Sequence, residues 1–330
     1  MRQFLTVMSL LICSYAAIAK QPQKHHKVLE LMGSRFEISA FHSDPQLAWD
    51  GINAAVNEIT RIERLISSWD PNSQTSLINE NAGIKPVKVD AELFQLIQRA
   101  VQISAITDGA FDISYASMDR IWQFDGTMAT MPVAEVVAQA KSRIGYQKIQ
   151  LNPAKQEVYL KDKGMKIGFG AIGKGYAAQK AKEKMFSLGI KSGVVNAAGD
   201  LIAWGVDIDG ETFRVGIADP KEKGKVLLWL KVKNTSVVTS GDYERFVMFD
   251  GVRYAHIIDL RTGYPTTGIK SVTIVSNNPE LADALSTSVF VLGVEKGIYL
   301  INQLDGVECL IVTDDDKLVT SDRLEINNKS

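Results

Sequence analysis

Cysteine is nearly absent from this chain: 330 residues contain two, Cys13 and Cys309. Cys13 falls in a leader expected to be removed, so a single cysteine would remain, and one cysteine cannot form an internal disulfide. Cys309 sits in the apolar run 307–312. It reads as a buried, inert thiol, which excludes cysteine catalysis and thiolate zinc sites. Neither sign of charge dominates, with 37 Lys and Arg against 38 Asp and Glu and a net charge of −1. That balance argues against a general nucleic-acid or anionic-membrane partner. Beyond the leader, no segment reads as long and apolar enough for a membrane helix. Internal repeats and low-complexity linkers are also missing.

The leader itself is informative. Arg2 precedes an apolar run over 4–12, followed by Ala17-Ile18-Ala19. A charged start, a short hydrophobic stretch and a small-x-small site describe a secretory signal peptide spanning 1–19 and cut after Ala19. Lipid anchoring at Cys13 is the weaker reading, because Leu11 and Ile12 stand where small residues belong. The expectation is an exported, periplasmic protein with one domain over 20–330, which two tightly packed lobes would also satisfy.

Glycine is concentrated at one place. Gly168, Gly170, Gly173 and Gly175 interrupt an apolar run, and Ala177, Ala181, Met185 and Leu188 then recur on one helical face, with Gly189 to stop it. The spacing predicts a strand, a tight glycine turn and a helix. Unpaired N–H groups at the helix start, its dipole and Lys174 would suit a phosphate. Glycines in such a turn mostly serve packing, and the pattern is neither Walker A nor a full Rossmann fingerprint.

Helical spacing recurs over 47–66, from Asp90 to Thr107, over 132–144 and from the Asn278-Pro279-Glu280 start to Leu292, with Gly293 just beyond. Residues 21–26 read as a polar, mobile leader. Strand patterns cover 28–40 (broken at Met32-Gly33-Ser34), 148–151 with 157–161, 193–204, 213–217, 226–232, 236–240, and 245–249 with 253–258 around Asp250-Gly251. Strands and helices come in blocks without regular βαβ alternation. That predicts an α+β fold with largely antiparallel sheets and packed helices.

Several residues are candidates for chemistry. Asp283 and Thr287 are spaced i, i+4 on one helix face, an oxygen pair that suits a hard cation such as Mg²⁺ or a simple intrahelical bond. His256 lies on the return strand after Asp250-Gly251, with Asp259 three residues on. Trp69, in the turn-rich loop 67–73, either stacks on a flat ligand or covers a helix end. Asp314-Asp315-Asp316 reads as a solvated hairpin turn.

Five separated segments resemble the ApbE family of FAD:protein FMN transferases: Gly170-Ala171-Ile172-Gly173-Lys174-Gly175-Tyr176-Ala177; 196–200; Thr239-Ser240-Gly241-Asp242-Tyr243; His256-Ile257-Ile258-Asp259 with Thr262-Gly263-Tyr264-Pro265; and Ala282-Asp283-Ala284-Leu285-Ser286-Thr287. Met32-Gly33, Ser68-Trp69-Asp70-Pro71 and Asp108-Gly109-Ala110-Phe111-Asp112 fit the same order upstream. The resemblance implies an α+β enzyme that binds FAD with Mg²⁺ and moves FMN onto a Thr or Ser hydroxyl of an acceptor protein, releasing AMP. It assigns Asp283, Thr287 and, through its carbonyl, Ala171 to the metal. It assigns Met32, Trp69, Ala110, Phe111, Asp112, Lys174 and Ile257 to the flavin nucleotide, and His256 to the general base; on chemical grounds Asp259 or Asp242 is the candidate to orient that histidine. The acceptors it implies are subunits of membrane redox complexes of the sodium-pumping NADH:quinone reductase or Rnf type. Hydrolysis of FAD to FMN and AMP, or a non-catalytic periplasmic FAD carrier, are the alternatives. Gly168 stands where many members carry Asp, and Ala197-Ala198 where many carry Leu-Gly. The first change implies an altered adenosine-side contact.

Overall fold

The computed structural model describes residues 21–125, 127–222, 224–241 and 246–325. The expected signal peptide, Cys13 and Asp242 lie outside the described residues.

Met32 and Gly33 both adopt left-handed backbone, with φ of 51° and 65°. This is the geometry of a two-residue hairpin turn, so the interrupted pattern over 28–40 is two strands, Gln23–Leu31 and Ser34–His42. The polar leader does not trail free. His25 pairs with Ala40 and His26 with Ser39, because an edge strand can carry polar residues on its open face. The hairpin begins an eight-stranded sheet that continues through Gly193–Ala197, Asp200–Trp204, Thr235–Gly241, Ile269–Ser276, Val307–Thr313 and Leu318–Thr320. Every neighbouring pair is antiparallel. The single strand expected over 193–204 is a hairpin, turned at Ala198 and Gly199 with φ of 54° and 103°.

Among the described residues, six α-helices accompany the strands: α1 (Pro45–Ile66), α2 (Gln74–Glu80), α3 (Ala91–Ile106), α4 (Ala134–Ala140), α5 (Gly173–Ser187) and α6 (Pro279–Asn302). Asp44 caps α1 by accepting from Gln46 and Leu47 N–H, and the fully buried Ile52, Ile59 and Ile62 show why its apolar stripe faces inward. The sequence pattern did not reveal α2, which starts directly after the 67–73 loop on a Ser73 cap. The helix expected over 132–144 is only seven residues long, ending at Ala140. In α6, Gly293 takes φ 79° and ψ 175°. The helix breaks there as expected, but a second helical segment follows to Asn302.

Among the described residues, α6 alone is long and apolar enough to cross a bilayer by length and composition, contrary to the reading of the sequence. Its kink and its packing identify it as a core helix. Ala282, Leu285, Val289 and Phe290 are buried with Val272 and Ile274 of the sheet and Ile311 of the adjoining strand.

The glycine stretch departs from expectation in an instructive way. No strand precedes it, and α5 begins at Gly173, inside the run. None of its four glycines has a positive φ. They are there for close approach. A Cβ on Gly175 would stand 2.1 Å from the Pro279 carbonyl oxygen and 2.9 Å from Asp283 Cβ, and one on Gly173 would stand 2.9 Å from Ile66 Cδ1. The start of α5 is therefore pressed against the first turns of α6. Gly175→Ala is expected to force the two helices apart and destabilise the fold by roughly 1–3 kcal/mol or more. Calorimetry should record a fall of several degrees in melting temperature. An unchanged melting temperature would mean that the helices shift at no cost.

Candidate active site

A cavity of about 1080 Å³ opens where these elements meet. Its walls come from Ser68 and Trp69 after α1, the stretch 110–120 after α3, the glycine turn, the end of strand Thr235–Gly241, the break at His256, and α6. Trp69, Ala110, Phe111, Asp112, Ala171, Lys174, His256, Ile257, Asp283 and Thr287 all line it. Met32 does not line it. It packs behind the glycine turn, with its Cε 3.6 Å from where a Cβ on Gly173 would stand. Met32, which the resemblance assigns to the flavin nucleotide, is thus not among the lining residues, whose aromatic side chains include Trp69, Phe111, Tyr115 and Trp122.

Asp283 is 3% exposed. Its Oδ2 accepts from the Gly175 N–H at 3.0 Å. The first turn of α5 thus holds an anion as its N–H groups suggest, but that anion is the protein's own carboxylate. The approach that Gly175 permits makes the bond possible. Lys174, on the same turn, forms an ion pair with Asp200, which is itself buried. Burial raises the Asp283 carboxyl pKa, and Lys174 opposes the shift. Burial and then the Asp283 charge push Asp200 up to about 7. Burial disfavours the Lys174 ammonium, yet the two carboxylates outweigh it and hold its pKa above the ordinary lysine range. Two buried carboxylates share one ammonium, so with both ionised the cluster lacks one positive charge.

That deficit bears on the implied Mg²⁺. Thr287 lines the cavity one turn beyond Asp283, and Ala171 lines it from the glycine turn. A carboxylate, a hydroxyl and a main-chain carbonyl are an all-oxygen set, which fits a hard cation that keeps waters and substrate phosphate in its shell. Among the described residues, no group of three or more His, Cys, Asp and Glu gathers as a metal cluster. A sparse oxygen site is therefore the kind these residues can form. Ser240 Oγ bonds Ser286 Oγ at 2.8 Å, and Ser286 Oγ donates to the Asp283 carbonyl at 2.8 Å. These bonds fix the active turn of α6 to the sheet.

His256 is not on a strand. Strand Val252–Ala255 ends just before it, and Ile258–Asp259 pairs separately with Tyr264–Pro265. His256 and Ile257 occupy the break, which leaves the imidazole exposed at the cavity and 6.5 Å, centroid to centroid, from the Phe124 ring. Asp259 is engaged elsewhere. Both of its oxygens accept from Arg261, at 2.8 and 2.9 Å, closing the turn to Gly263.

Asp112 is buried, and its oxygens accept from Ser114 N–H and Tyr146 N–H, each at 2.7 Å. Burial still holds its carboxyl above the usual range. Its visible work is to cap the 3-10 turn Ile113–Ser117 that forms one wall. Trp69 is 80% exposed, and the Arg120 guanidinium lies 5.2 Å from its ring centroid. The indole therefore stands at the cavity mouth and does not cover a helix end. Asn79, on the unforeseen α2, clasps Ile167 through both main-chain groups, at 2.8 and 3.0 Å, and sets the path of the chain into the glycine turn. Asn79, Tyr115 and Arg120 belong to no periodic pattern and give no signal in the sequence, whereas Asp200 ends the segment 196–200 that carries the resemblance, without a role assigned to it there. The Asp314–Asp316 turn is a turn: Asp316 pairs with Lys270 and Lys221, and Asp315 with Lys317.

The chain matches the ApbE family over residues 32–311. It is 33% identical over 289 residues to an FAD:protein FMN transferase of Treponema pallidum, covering 82% of this chain and 80% of that one. It is 30% identical over 293 residues to one of Klebsiella pneumoniae, covering 88% and 90%. The crystal structure of an ApbE protein from Thermotoga maritima superposes with a TM-score of 0.81 at 31% identity, covering 91% of this chain and 97% of that one. With its mixed helices and antiparallel sheet, and with this shared fold, the chain belongs to the ApbE family.

Proposed function

We propose that this enzyme transfers FMN from FAD to a Thr or Ser hydroxyl of an acceptor protein and releases AMP. The observation that carries the reading is the convergence of Asp283, Thr287, Ala171, Lys174 and His256 on one cavity whose walls include Trp69 and Phe111. The aromatic walls offer flat apolar surface for an isoalloxazine ring. Lys174, tethered by Asp200, presents a positive charge beside Asp283 for the diphosphate. When Mg²⁺ is bound, Asp283, Thr287 and the Ala171 carbonyl would hold it, and it would neutralise charge building on the phosphate oxygens. The acceptor hydroxyl oxygen bonds to the FMN phosphorus, and the bridging P–O bond breaks. AMP leaves with the electron pair, and a ring nitrogen of His256 takes the hydroxyl proton. An exposed histidine at the rim suits this task, because a protein-borne hydroxyl must arrive from outside. Acceptors of this reaction would be exported subunits of membrane redox complexes, met by an enzyme that itself carries a cleaved signal peptide.

The test is direct. The protein is incubated with FAD, Mg²⁺ and an acceptor fragment, then resolved on a denaturing gel. Flavin fluorescence on the acceptor band, with stoichiometric AMP, supports transfer. AMP without a fluorescent band means that water is the acceptor and the enzyme is a pyrophosphatase. Tight FAD binding with neither product means a carrier.

A further inference from the structure

The 3-10 turn Ile113–Ser117 faces the glycine turn and is bonded to it along its length. Ser117 Oγ accepts from Lys166 N–H at 2.7 Å and donates to the Lys166 carbonyl at 2.8 Å. Gly168 N–H donates to the Ile113 carbonyl at 2.9 Å. Gly170 N–H donates to the Tyr115 hydroxyl oxygen at 3.0 Å. Two of the glycines are explained by that hydroxyl. A Cβ on Gly168 would stand 3.0 Å from it, and one on Gly170 2.6 Å. The chain has cleared space on both sides of a phenol that lines the cavity. Its oxygen lone pair is used, and among the described residues no acceptor takes its hydrogen. A phenol is protonated at neutral pH. Desolvation in the cavity wall, and beyond it the charge of Asp283, hold this one above its ordinary pKa. The hydroxyl is therefore an aimed, neutral donor, one residue from Ala171 through Gly170 and within electrostatic reach of Asp283.

We infer that Tyr115 is a substrate-binding residue whose O–H, set by the Gly170 N–H, donates to an anionic oxygen of the dinucleotide's diphosphate bridge. This rests on the function proposed above, since Ala171 and Asp283 mark the diphosphate position only if that reading holds. A neutral donor fits this place for a simple reason: it adds a bond to a phosphate oxygen without adding negative charge to a cluster already short of a positive one.

Binding of FAD, ADP and adenosine is measured by titration calorimetry with Mg²⁺ present, on the wild type, Tyr115→Phe, Gly170→Ala and the double variant. Tyr115→Phe should weaken FAD and ADP about tenfold, as expected for a hydrogen bond to a charged group, and leave adenosine and the melting temperature unchanged. Gly170→Ala should cost similar affinity, because its Cβ displaces the hydroxyl. In the Tyr115→Phe background that Cβ meets only the ring carbon Cζ, at 3.4 Å, so the double variant should bind no more weakly than Tyr115→Phe. Additive losses would mean that the two positions act independently and would overturn the inference. So would unchanged FAD affinity in Tyr115→Phe, which reduces the hydroxyl to a brace for Gly170. Equal losses for adenosine would overturn it by moving the contact to the nucleoside. Wild-type protein that binds no FAD would remove the proposed function and this inference together. Normal transfer with an indifferent Tyr115→Phe removes the inference alone.

Discussion

Asp283→Ala is expected to abolish divalent-metal-dependent AMP release from FAD. The loss should be roughly 10²–10³-fold in kcat or greater, the scale for removing a preorganised charge stabiliser. The carboxylate has two duties, and the structure separates them. It is the only charged member of the oxygen set with Thr287 and Ala171, and it accepts the Gly175 N–H at the start of α5. Alanine removes both functions. Asp283→Asn keeps an acceptor for Gly175 but no charge. The asparagine variant should therefore be as inactive as the alanine variant while retaining more of the wild-type melting temperature. Product chromatography across a Mg²⁺ titration, with calorimetry on both variants, checks this. Full activity in either variant would remove Asp283 from the metal site.

The second large effect is expected at His256. His256→Ala should slow transfer by about 10²–10⁴-fold, the usual contribution of a positioned general base, with FAD affinity within about a factor of two. Stability should hold, because the ring is exposed and surface substitutions typically stay within about 0.5 kcal/mol. The informative comparison is between single-turnover transfer rate and FAD binding in the same preparation. A rate unchanged by the substitution would take His256 out of the proton transfer and give it a packing role beside Phe124. Since both Asp259 oxygens are bonded to Arg261, Asp259→Asn is expected to loosen the 259–263 turn without reproducing the His256 effect.

These two sites differ in how they could be found. The pairing of Asp283 with Thr287 is local. A helix start at Asn278-Pro279 and a four-residue spacing fix which oxygens share a face, and nothing distant can alter that. The long amphipathic helices, the Asp250-Gly251 turn with φ of 49° and 77° and the inert burial of Cys309 are legible for the same reason: each is set by a few neighbouring residues. The absence of βαβ alternation likewise carried the antiparallel architecture. Where local cues compete, they misled. The apolar stretch before the glycine turn is not a strand, because Asn79, Ser117 and Ile113 take its main-chain groups in place of a neighbouring strand. Residues 21–26 look unanchored until Ser39 and Ala40 offer them an edge. Gly293 ends a helix by propensity, yet sheet packing supports a second segment beyond it.

The glycine stretch shows the division most clearly. Its composition announces close approach but not to what. Pro279 and Asp283, more than a hundred residues along the chain, turn out to be the neighbours that Gly175 accommodates, and Tyr115, from the opposite direction, the one that Gly168 and Gly170 accommodate. Lys174 is a lone cation in the sequence. In the fold it belongs to a buried cluster with Asp200 and Asp283 whose charge is unbalanced. Periodicity, capping and turn chemistry depend on residues a few positions apart, so the order of letters suffices for them. Charge balance, desolvation and the clearance around a backbone depend on groups that meet only when the helices pack, and these are the quantities that make the cavity a site.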